Sequence, residues 1–243
     1  MKEIEKERNV RKKLRTNSDI PLVALAGYTN AGKSSTINSL LNLYSNTENK
    51  EVFVKDMLFA TLETQTRKLK LPNNHQFLIT DTVGFVSKLP HHLVESFKST
   101  LEEILDADLI LHVIDASSPF RDLQIKTTED VLNSLGVTNI PTLYVLNKTD
   151  LVKNQITLSH YKDSIHVSCK LKEGIRDLCS KIDEILFADT YLDRFLIPYD
   201  KGHLFSLLKE NAEVLETNYL DTGIEVLANV SLHLHNLLNE YKK

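Results

Sequence analysis

The stretch LVALAGYTNAGKS (22–34) decides the fold that this 243-residue chain is predicted to adopt. Its first five residues form an uninterrupted apolar run, which is typical of a strand buried in a parallel sheet. GYTNAGKS (27–34) then fits the pattern G-x-x-x-x-G-K-S/T, and helical spacing of apolar residues follows from Ser34. A strand, a glycine-containing loop and a helix in this order predict a phosphate loop, in which backbone amides and a helix N-terminus hold phosphate groups.

Individual residues of the phosphate loop, 27–34, have distinct predicted roles. Gly27 and Gly32 permit the backbone angles that turn amide groups towards a phosphate. The Lys33 ammonium is predicted to reach the β- and γ-phosphates, and the Ser34 hydroxyl to ligate Mg²⁺. Because the required strand and helix flank the loop, a chance match to the pattern is the weaker interpretation.

A second motif, NKTD (147–150), closes another apolar run and predicts selectivity for guanine. The Asp150 carboxylate can accept hydrogen bonds from N1–H and the exocyclic amine of guanine, a donor pair that adenine lacks. Asn147 is predicted to contact the base edge and to steady the phosphate loop, and the stem of Lys148 to cover the ring. SCK (168–170) is a weaker candidate for a base loop whose middle amide faces the guanine carbonyl. Alone, each short pattern is also compatible with ordinary turn residues.

Two further patterns are predicted to respond to the γ-phosphate. DTVG (81–84) ends a strand, where Asp81 would hold Mg²⁺ through water and Gly84 would offer its amide to the γ-phosphate. An ordinary exit from a strand is the alternative interpretation of so short a pattern. In FATLE (59–63), Thr61 is predicted to complete the Mg²⁺ shell. Thr64 and Thr66 compete for that role.

Position 85 predicts slow hydrolysis. Many GTPases carry glutamine directly after D-x-x-G to orient the attacking water, but Phe85 can neither donate nor accept a hydrogen bond. We therefore expect slow intrinsic turnover that a partner stimulates. Asn30 in the phosphate loop is a candidate K⁺ ligand, and the K⁺ charge would stabilise the transition state. A turn-forming asparagine is the simpler interpretation of this residue.

Composition narrows the function classes further. The net charge of −4 gives no global attraction to nucleic acid, so we expect no DNA partner. Residues 1–15 are basic, with seven lysines and arginines against three glutamates, which indicates a solvated helix face or a phosphate contact. The two cysteines match no metal spacing and favour a reducing compartment. We find neither a signal peptide nor an apolar run long enough to span a membrane, so we expect a cytoplasmic monomer.

The order of predicted elements indicates an α/β fold. Strands alternate with helices up to a helix over 172–187, which predicts a three-layer P-loop GTPase fold with a mostly parallel sheet. After about residue 190 the pattern changes to a strand over 194–200, a helix, a hairpin and a last helix. The predicted organisation is a charged helical segment (1–19), a GTPase domain (20–190) and a small C-terminal α+β domain (191–243).

These motifs together resemble the HflX family of translational GTPases. The resemblance covers residues 1–190 well, whereas the motifs of the later tail are weak. Its long and specific part is the stretch that begins with DTVGF. The residues that carry the resemblance are GYTNAGKSSTIN (27–38), FATLETQTR (59–67), DTVGFVSKLPHHLVESFKSTLEE (81–103), ADLILHVIDAS (107–117) and NKTD (147–150).

The resemblance implies a cytoplasmic protein that binds the large ribosomal subunit and helps to split or rescue stalled ribosomes. The family has a glycine-rich N-terminal domain and a long helical pair before the GTPase domain. This chain is expected to start at the end of that pair and to lack the N-terminal domain. Two residues depart from the family pattern, since Glu63 stands where aspartate is usual and Cys169 where alanine is usual.

Two alternatives remain open at this point. A related GTPase could act in ribosome assembly or tRNA modification, although the long DTVGF stretch argues against it. A non-catalytic nucleotide-binding module is the other alternative, because Phe85 replaces the glutamine that orients water.

The motifs and the resemblance predict one site for GTP or GDP, Mg²⁺ and a possible K⁺. Catalysis is assigned to Lys33, Asn30, Thr61 and Gly84, and the predicted metal ligands are Ser34, Thr61 and Asp81. The nucleotide-binding set comprises Gly27, Tyr28, Thr29, Asn30, Ala31, Gly32, Lys33, Ser34, Ser35, Phe59, Ala60, Thr61, Leu62, Glu63, Asp81, Thr82, Val83, Gly84, Asn147, Lys148, Thr149, Asp150, Ser168, Cys169 and Lys170.

Overall fold

The computed structural model describes two compact units of this chain. The described residues are 20–44, 65–81, 103–137, 139–152 and 164–243. The first unit takes its described residues from Pro21–Leu69 and Phe77–Ile182. The second takes them from Met1–Ile20, Lys70–Gln76 and Asp183–Lys243. The domain limits that the sequence suggests, at residues 20, 190 and 243, stay a prediction.

A six-stranded sheet forms the centre of the first unit, and its strand order is β2-β3-β1-β4-β5-β6. The pairs β1–β3, β1–β4, β4–β5 and β5–β6 are parallel, which confirms the predicted mostly parallel α/β fold. A five-residue turn joins β2 to β3. The strands are β1 (Leu22–Ala26), β2 (Gln65–Lys70), β3 (Gln76–Asp81), β4 (Leu109–Asp115), β5 (Thr142–Asn147) and β6 (Ser164–His166).

Three helices accompany this sheet, and their apolar residues explain why the strands are buried. All five residues of β1 are buried, as its apolar sequence predicts. Ala24, Ala26 and Ile110 form one core cluster together with Leu132 of the second helix. The helices are α1 (Lys33–Tyr44), α2 (Arg121–Ser134) and α3 (Ile175–Leu186), with short 3₁₀ turns over Glu103–Asp106 and Thr149–Leu151.

The register of the sheet brings the predicted motifs to one edge. The phosphate loop follows β1, Asp81 is the last residue of β3, and Asn147 is the last residue of β5. In the pairing of β4 with β5, Asp115 lies directly opposite Asn147. Because parallel strands end at the same side of a sheet, these polar residues face a common crevice, which is where open α/β sheets bind ligands.

Helix α3 begins three residues later than the predicted start at residue 172. Ser168 and Glu173 exchange two backbone hydrogen bonds of 3.0 and 3.1 Å, which close a turn before the helix. Gly174 follows with a φ of 70°, and a Cβ there would collide with the carbonyl of His166. The helix therefore begins only after this turn, at Ile175.

The second unit contains an antiparallel three-stranded sheet of order β7-β9-β8. One face of the sheet carries Phe195, Val226 and other fully buried side chains, which pack against Leu208 and Leu234 of two helices. This confirms the predicted succession of strand, helix, hairpin and helix. The elements are β7 (Tyr191–Ile197), α4 (Gly202–Asn211), β8 (Glu213–Leu220), β9 (Gly223–Val230) and α5 (Leu232–Leu237).

The first strand of this unit lies earlier in the chain than the prediction over 194–200. Its pairing with β9 begins at Tyr191 and its last pair joins Ile197 to Ile224. Pro198 follows, and it has no backbone N–H to donate to a neighbouring strand, so the strand ends there.

The turn between β2 and β3 belongs to the second unit. Nδ1 of His75 lies 2.6 Å from a carboxylate oxygen of Asp183, and its ring stacks on Phe187 with centroids 4.1 Å apart. Asn73 donates to the same carboxylate at 2.8 Å. Across the parts of the chain that the structure describes, no helix is long and apolar enough to cross a membrane.

Candidate functional site

The phosphate loop runs between β1 and α1, and its backbone fits this position only with glycine at its two ends. Gly27 has a φ of 151°, and a Cβ there would collide with the carbonyl oxygen of Val113 in β4. Gly32 has a φ of 99°. Asn30 is exposed in the middle of the loop and adopts a left-handed φ of 62°. The loop therefore has the tight curvature that an anion cradle requires.

The Lys33 side chain is buried and curls over the loop that precedes it. Its ammonium donates to the carbonyls of Gly27 and Tyr28 at 3.2 and 3.3 Å. Burial lowers the pKa of Lys33 to about 8, although the negative charge of Asp81 opposes this shift. A buried ammonium that lacks a full counter-charge is well suited to bind an anionic group.

Ser34 and Asp81 form the candidate metal site. The Ser34 hydroxyl donates to Oδ2 of Asp81 at 2.6 Å, and the Asp81 side chain is buried at the end of β3. Hydroxyl and carboxylate oxygens are ligands that Mg²⁺ accepts, and Mg²⁺ usually takes its other ligands from water and phosphate. Within the described ranges no group of three His, Cys, Asp or Glu side chains could hold a metal by itself. These residues therefore fit a Mg²⁺ ion that is bound together with a nucleotide.

Asn147 connects the phosphate loop to the base loop, 168–170. Its side-chain amide donates to the carbonyl of Ala31 at 3.0 Å, and its Oδ1 accepts from the backbone N–H of Cys169 at 3.2 Å. Only 2% of Asn147 is exposed. A Cβ on Gly32 would collide with the Asn147 amide nitrogen, so glycine is required for this contact as well.

Lys148 is held in place by Asp115. The residue has a left-handed φ of 62°, and its ammonium donates to Oδ2 of Asp115 at 2.7 Å. Burial alone would raise the pKa of Asp115, but hydrogen bonds from Lys148 and Ser117 outweigh it and lower the pKa below its usual value. Asp115 is therefore a carboxylate that fixes the direction of the Lys148 side chain.

The guanine-selective carboxylate predicted at Asp150 is oriented by the base loop. The buried Ser168 hydroxyl donates to Oδ1 of Asp150 at 2.7 Å and accepts from the backbone N–H of Leu171 at 3.1 Å. The neighbouring Thr149 hydroxyl donates to the carbonyl of Val167 at 2.9 Å. A carboxylate has acceptor capacity beyond one bond, so Asp150 can still accept from a ligand.

The structure brings most of the predicted site residues together. The whole phosphate loop, Asp81, NKTD (147–150) and the base loop lie at the carboxyl edge of the sheet. The Cys169 amide, which was predicted to face a guanine carbonyl, donates to Asn147 here, so its contact with the base stays a prediction. Several predicted residues lie outside the described ranges: Phe59, Ala60, Thr61, Leu62, Glu63, Thr82, Val83 and Gly84, together with Phe85.

Two residues that the structure places at this site, Asp115 and Thr36, are absent from the predicted set. Asp115 could have been found, because it ends the apolar run of β4 as Asn147 ends that of β5. No sequence pattern marks Thr36 as a site residue, because it lies within a helix and after the end of the phosphate-loop pattern. Its contact with the base loop depends on tertiary structure alone.

The strand order and the phosphate loop define the class of P-loop GTPase folds, and comparisons with known proteins agree. A family model described as 50S ribosome-binding GTPase matches residues 22–148. A solved GTP-binding protein from Sulfolobus solfataricus, in complex with GDP, is 26% identical with a TM-score of 0.52. That match covers 75% of this chain and 57% of the solved one.

The curated relatives define the family more narrowly. GTPase HflX of Caldanaerobacter subterraneus is 43% identical over 241 residues, which make up 99% of this chain and 54% of that protein. GTPase HflX of Akkermansia muciniphila is 39% identical over 98% of this chain and 55% of that protein. The chain thus belongs to the HflX family of GTPases. It spans about half the length of the curated relatives that it matches.

The lowered pKa of Lys33 predicts that nucleotide binding takes up a proton in mildly alkaline solution. With a pKa of about 8, the side chain is largely neutral in the free protein at pH 8.5. Phosphate groups favour the charged form and raise the pKa, so GDP affinity should fall as the pH rises above 8. Calorimetry at pH 8.5 in two buffers of different ionisation enthalpy should show uptake of a large part of one proton.

Lys33→Arg is the matched control, because arginine stays charged at this pH. Proton uptake measured with this variant also accounts for any titration of the guanine base, which both proteins share. Equal proton uptake by the wild type and by Lys33→Arg would contradict the assignment of this proton to Lys33.

Proposed function

We propose that this chain binds GTP and GDP at the carboxyl edge of the sheet and hydrolyses GTP with Mg²⁺. The observation that carries this proposal is the pair of hydrogen bonds made by Asn147, which join the phosphate loop at Ala31 to the base loop at Cys169. A phosphate cradle and a guanine-selective carboxylate are thereby held in one crevice. Membership of the HflX family supports the same function.

The phosphate end supplies positive charge and oxygen ligands. Lys33 already points its ammonium at the carbonyls of the loop, and a bound β- or γ-phosphate would offer this buried cation a full counter-charge. Ser34 and Asp81 would hold Mg²⁺, which neutralises negative charge on the phosphate groups when it is bound.

The base end supplies selectivity. Asp150 would accept from N1–H and the exocyclic amine of guanine, while Ser168 keeps its carboxylate in one orientation. With adenine this carboxylate would face no matching donors. An unpaired polar group of this kind lowers the affinity for adenine nucleotides several-fold or more. The alkyl stem of Lys148, fixed by Asp115, would cover one side of the ring.

Hydrolysis is proposed to be slow without a partner. Sequence patterns assign γ-phosphate contacts to Thr61 and Gly84, and Phe85 stands where many GTPases carry a glutamine that orients water. Asn30 is exposed in the phosphate loop with a left-handed backbone, which supports the proposal that it helps to bind K⁺ beside the phosphates. A monovalent cation there would stabilise developing negative charge.

The proposed partner is the large ribosomal subunit, in the cytoplasm. The matching family model is described as a 50S ribosome-binding GTPase, and it covers residues 22–148. The HflX resemblance adds a role in splitting or rescuing stalled ribosomes. In this proposal the subunit supplies what Phe85 cannot, an arrangement that positions the attacking water.

One hydrolysis experiment tests nucleotide, ion and partner together. The rate of GTP turnover would be measured with purified chain in KCl and in NaCl, each with and without large ribosomal subunits. We expect slow turnover by the chain alone, clear stimulation by the subunits, and faster turnover in KCl than in NaCl.

Each arm of this experiment can contradict one part of the proposal. Turnover of several per second by the chain alone would contradict the role given to Phe85. No stimulation by large subunits would contradict the proposed partner, and equal rates in the two salts would contradict the role given to Asn30. If no hydrolysis were detected under any condition, the chain would be a nucleotide-binding module without GTPase activity.

Asp150→Asn tests the base site. The amide no longer matches both guanine donors, so GDP affinity should fall by about 100-fold, and affinity for xanthosine diphosphate should rise. Both constants would be measured by calorimetry. Asp177→Asn is the matched control, because it makes the same chemical change at an exposed position of α3. Normal GDP binding by Asp150→Asn would show that the base site is assigned wrongly.

A further inference from the structure

A second contact between the phosphate-binding and base-binding parts of the site involves Thr36. This residue lies in α1, four residues after Gly32, and is fully buried. Its hydroxyl donates to the Gly32 carbonyl at 2.9 Å, and the Cys169 sulfur lies 3.5 Å from the same hydroxyl oxygen. Because the Thr36 proton is already donated to Gly32, the Cys169 thiol is the donor in the second contact.

The surroundings of Cys169 keep its thiol available as a donor. Burial raises the pKa of the thiol, and this effect outweighs the polar groups that surround the sulfur. A thiol with a raised pKa stays protonated at neutral pH, and it is a poor nucleophile because the thiolate is the reactive form. Cys169 is therefore suited to hydrogen bonding rather than to redox chemistry.

The Thr36 contact closes a ring of four hydrogen bonds. Cys169 donates its backbone N–H to Asn147 at 3.2 Å, and Asn147 donates to Ala31 at 3.0 Å. Ala31 and Gly32 are neighbours, so the Thr36 bonds to Gly32 and Cys169 complete the ring. The base loop is thereby attached at two points: its backbone is bound to Asn147 and its side chain is bound to α1.

We propose that Thr36 and the Cys169 thiol position the base loop for guanine. Thr36 touches neither phosphate nor base in this proposal, so it is a positioning residue that acts through Cys169. The proposal rests on the proposed function, since it requires a guanine nucleotide in the crevice.

The base loop orients the group that is proposed to select guanine, the Asp150 carboxylate. Ser168 precedes Cys169 and holds the Asp150 carboxylate with a bond of 2.7 Å. Movement of the loop would therefore alter the orientation of Asp150 but leave Lys33 on its own carbonyl contacts. Loss of the thiol contact should weaken binding of guanine nucleotides and spare that part of the affinity that comes from the phosphates.

The test compares GDP with ADP on the full chain. Thr36→Val removes the hydroxyl at nearly constant volume, and Cys169→Ala removes the thiol while its backbone N–H remains for Asn147. We expect either variant to raise the dissociation constant for GDP about three- to tenfold, the range of one hydrogen bond. The constant for ADP should stay unchanged, because the Gly32 carbonyl keeps the bond from the Thr36 backbone N–H at 2.9 Å in Thr36→Val. The double variant should be no worse than either single variant.

Thr36→Ser is the conservative control, because it keeps the hydroxyl and should restore wild-type GDP affinity. Thermal unfolding of each variant separates positioning from stability. Equal weakening of GDP and ADP would indicate a purely structural role and would overturn the proposal. Wild-type GDP affinity in both single variants, or additive losses in the double variant, would overturn it as well.

The outcome also distinguishes this proposal from the proposed function. A wild-type chain that does not prefer GDP to ADP would overturn both. A wild-type chain with clear GDP preference, combined with variants that keep that preference, would overturn the positioning role alone.

Discussion

The side-chain amide of Asn147 makes the interaction on which the rest of the candidate site depends. Its nitrogen holds the phosphate loop at Ala31, and its oxygen holds the base loop at Cys169. The amide is almost fully buried, so both bonds are shielded from water and an unpaired group there would be costly. Two loops that lie far apart in the sequence are therefore fixed as one crevice, of a size set by a single side chain.

The parallel sheet explains why one asparagine can contact both the phosphate loop and the base loop. Asn147 is the last residue of β5, and the neighbouring strand β4 ends at Asp115. Asp115 accepts a hydrogen bond from Lys148, the residue that follows Asn147. The phosphate loop leaves β1 so close to these strand ends that glycine is required at positions 27 and 32. The geometry of the sheet edge thus brings residues from separate sequence patterns into one candidate site.

Local patterns in the sequence were sufficient to predict much of this arrangement. The apolar runs predicted buried parallel strands, and the phosphate loop and NKTD were predicted at strand ends because their residues are contiguous. The position of Asp115 at a strand end could be predicted, but its contact with Lys148 could not. The contact of Thr36 with Cys169 could not be predicted either, because the two contacts join residues 33 and 133 positions apart that only the folded register brings together. The late start of α3 was also missed, since the hydrogen bonds between Ser168 and Glu173 compete with helical ones. The roles of Thr61 and Gly84 stay predictions.

If Asn147 assembles the two halves of a guanine-nucleotide site, the substitution Asn147→Asp should separate them. The aspartate has the same shape and can still accept from the Cys169 amide, but its carboxylate cannot donate to the Ala31 carbonyl and would repel it. GDP binding to the full chain would be measured by calorimetry, with circular dichroism to confirm that the variant is folded. We expect a loss of GDP affinity of about 100-fold, equivalent to about 2 to 3 kcal/mol. A folded variant that binds GDP as tightly as the wild type would contradict it.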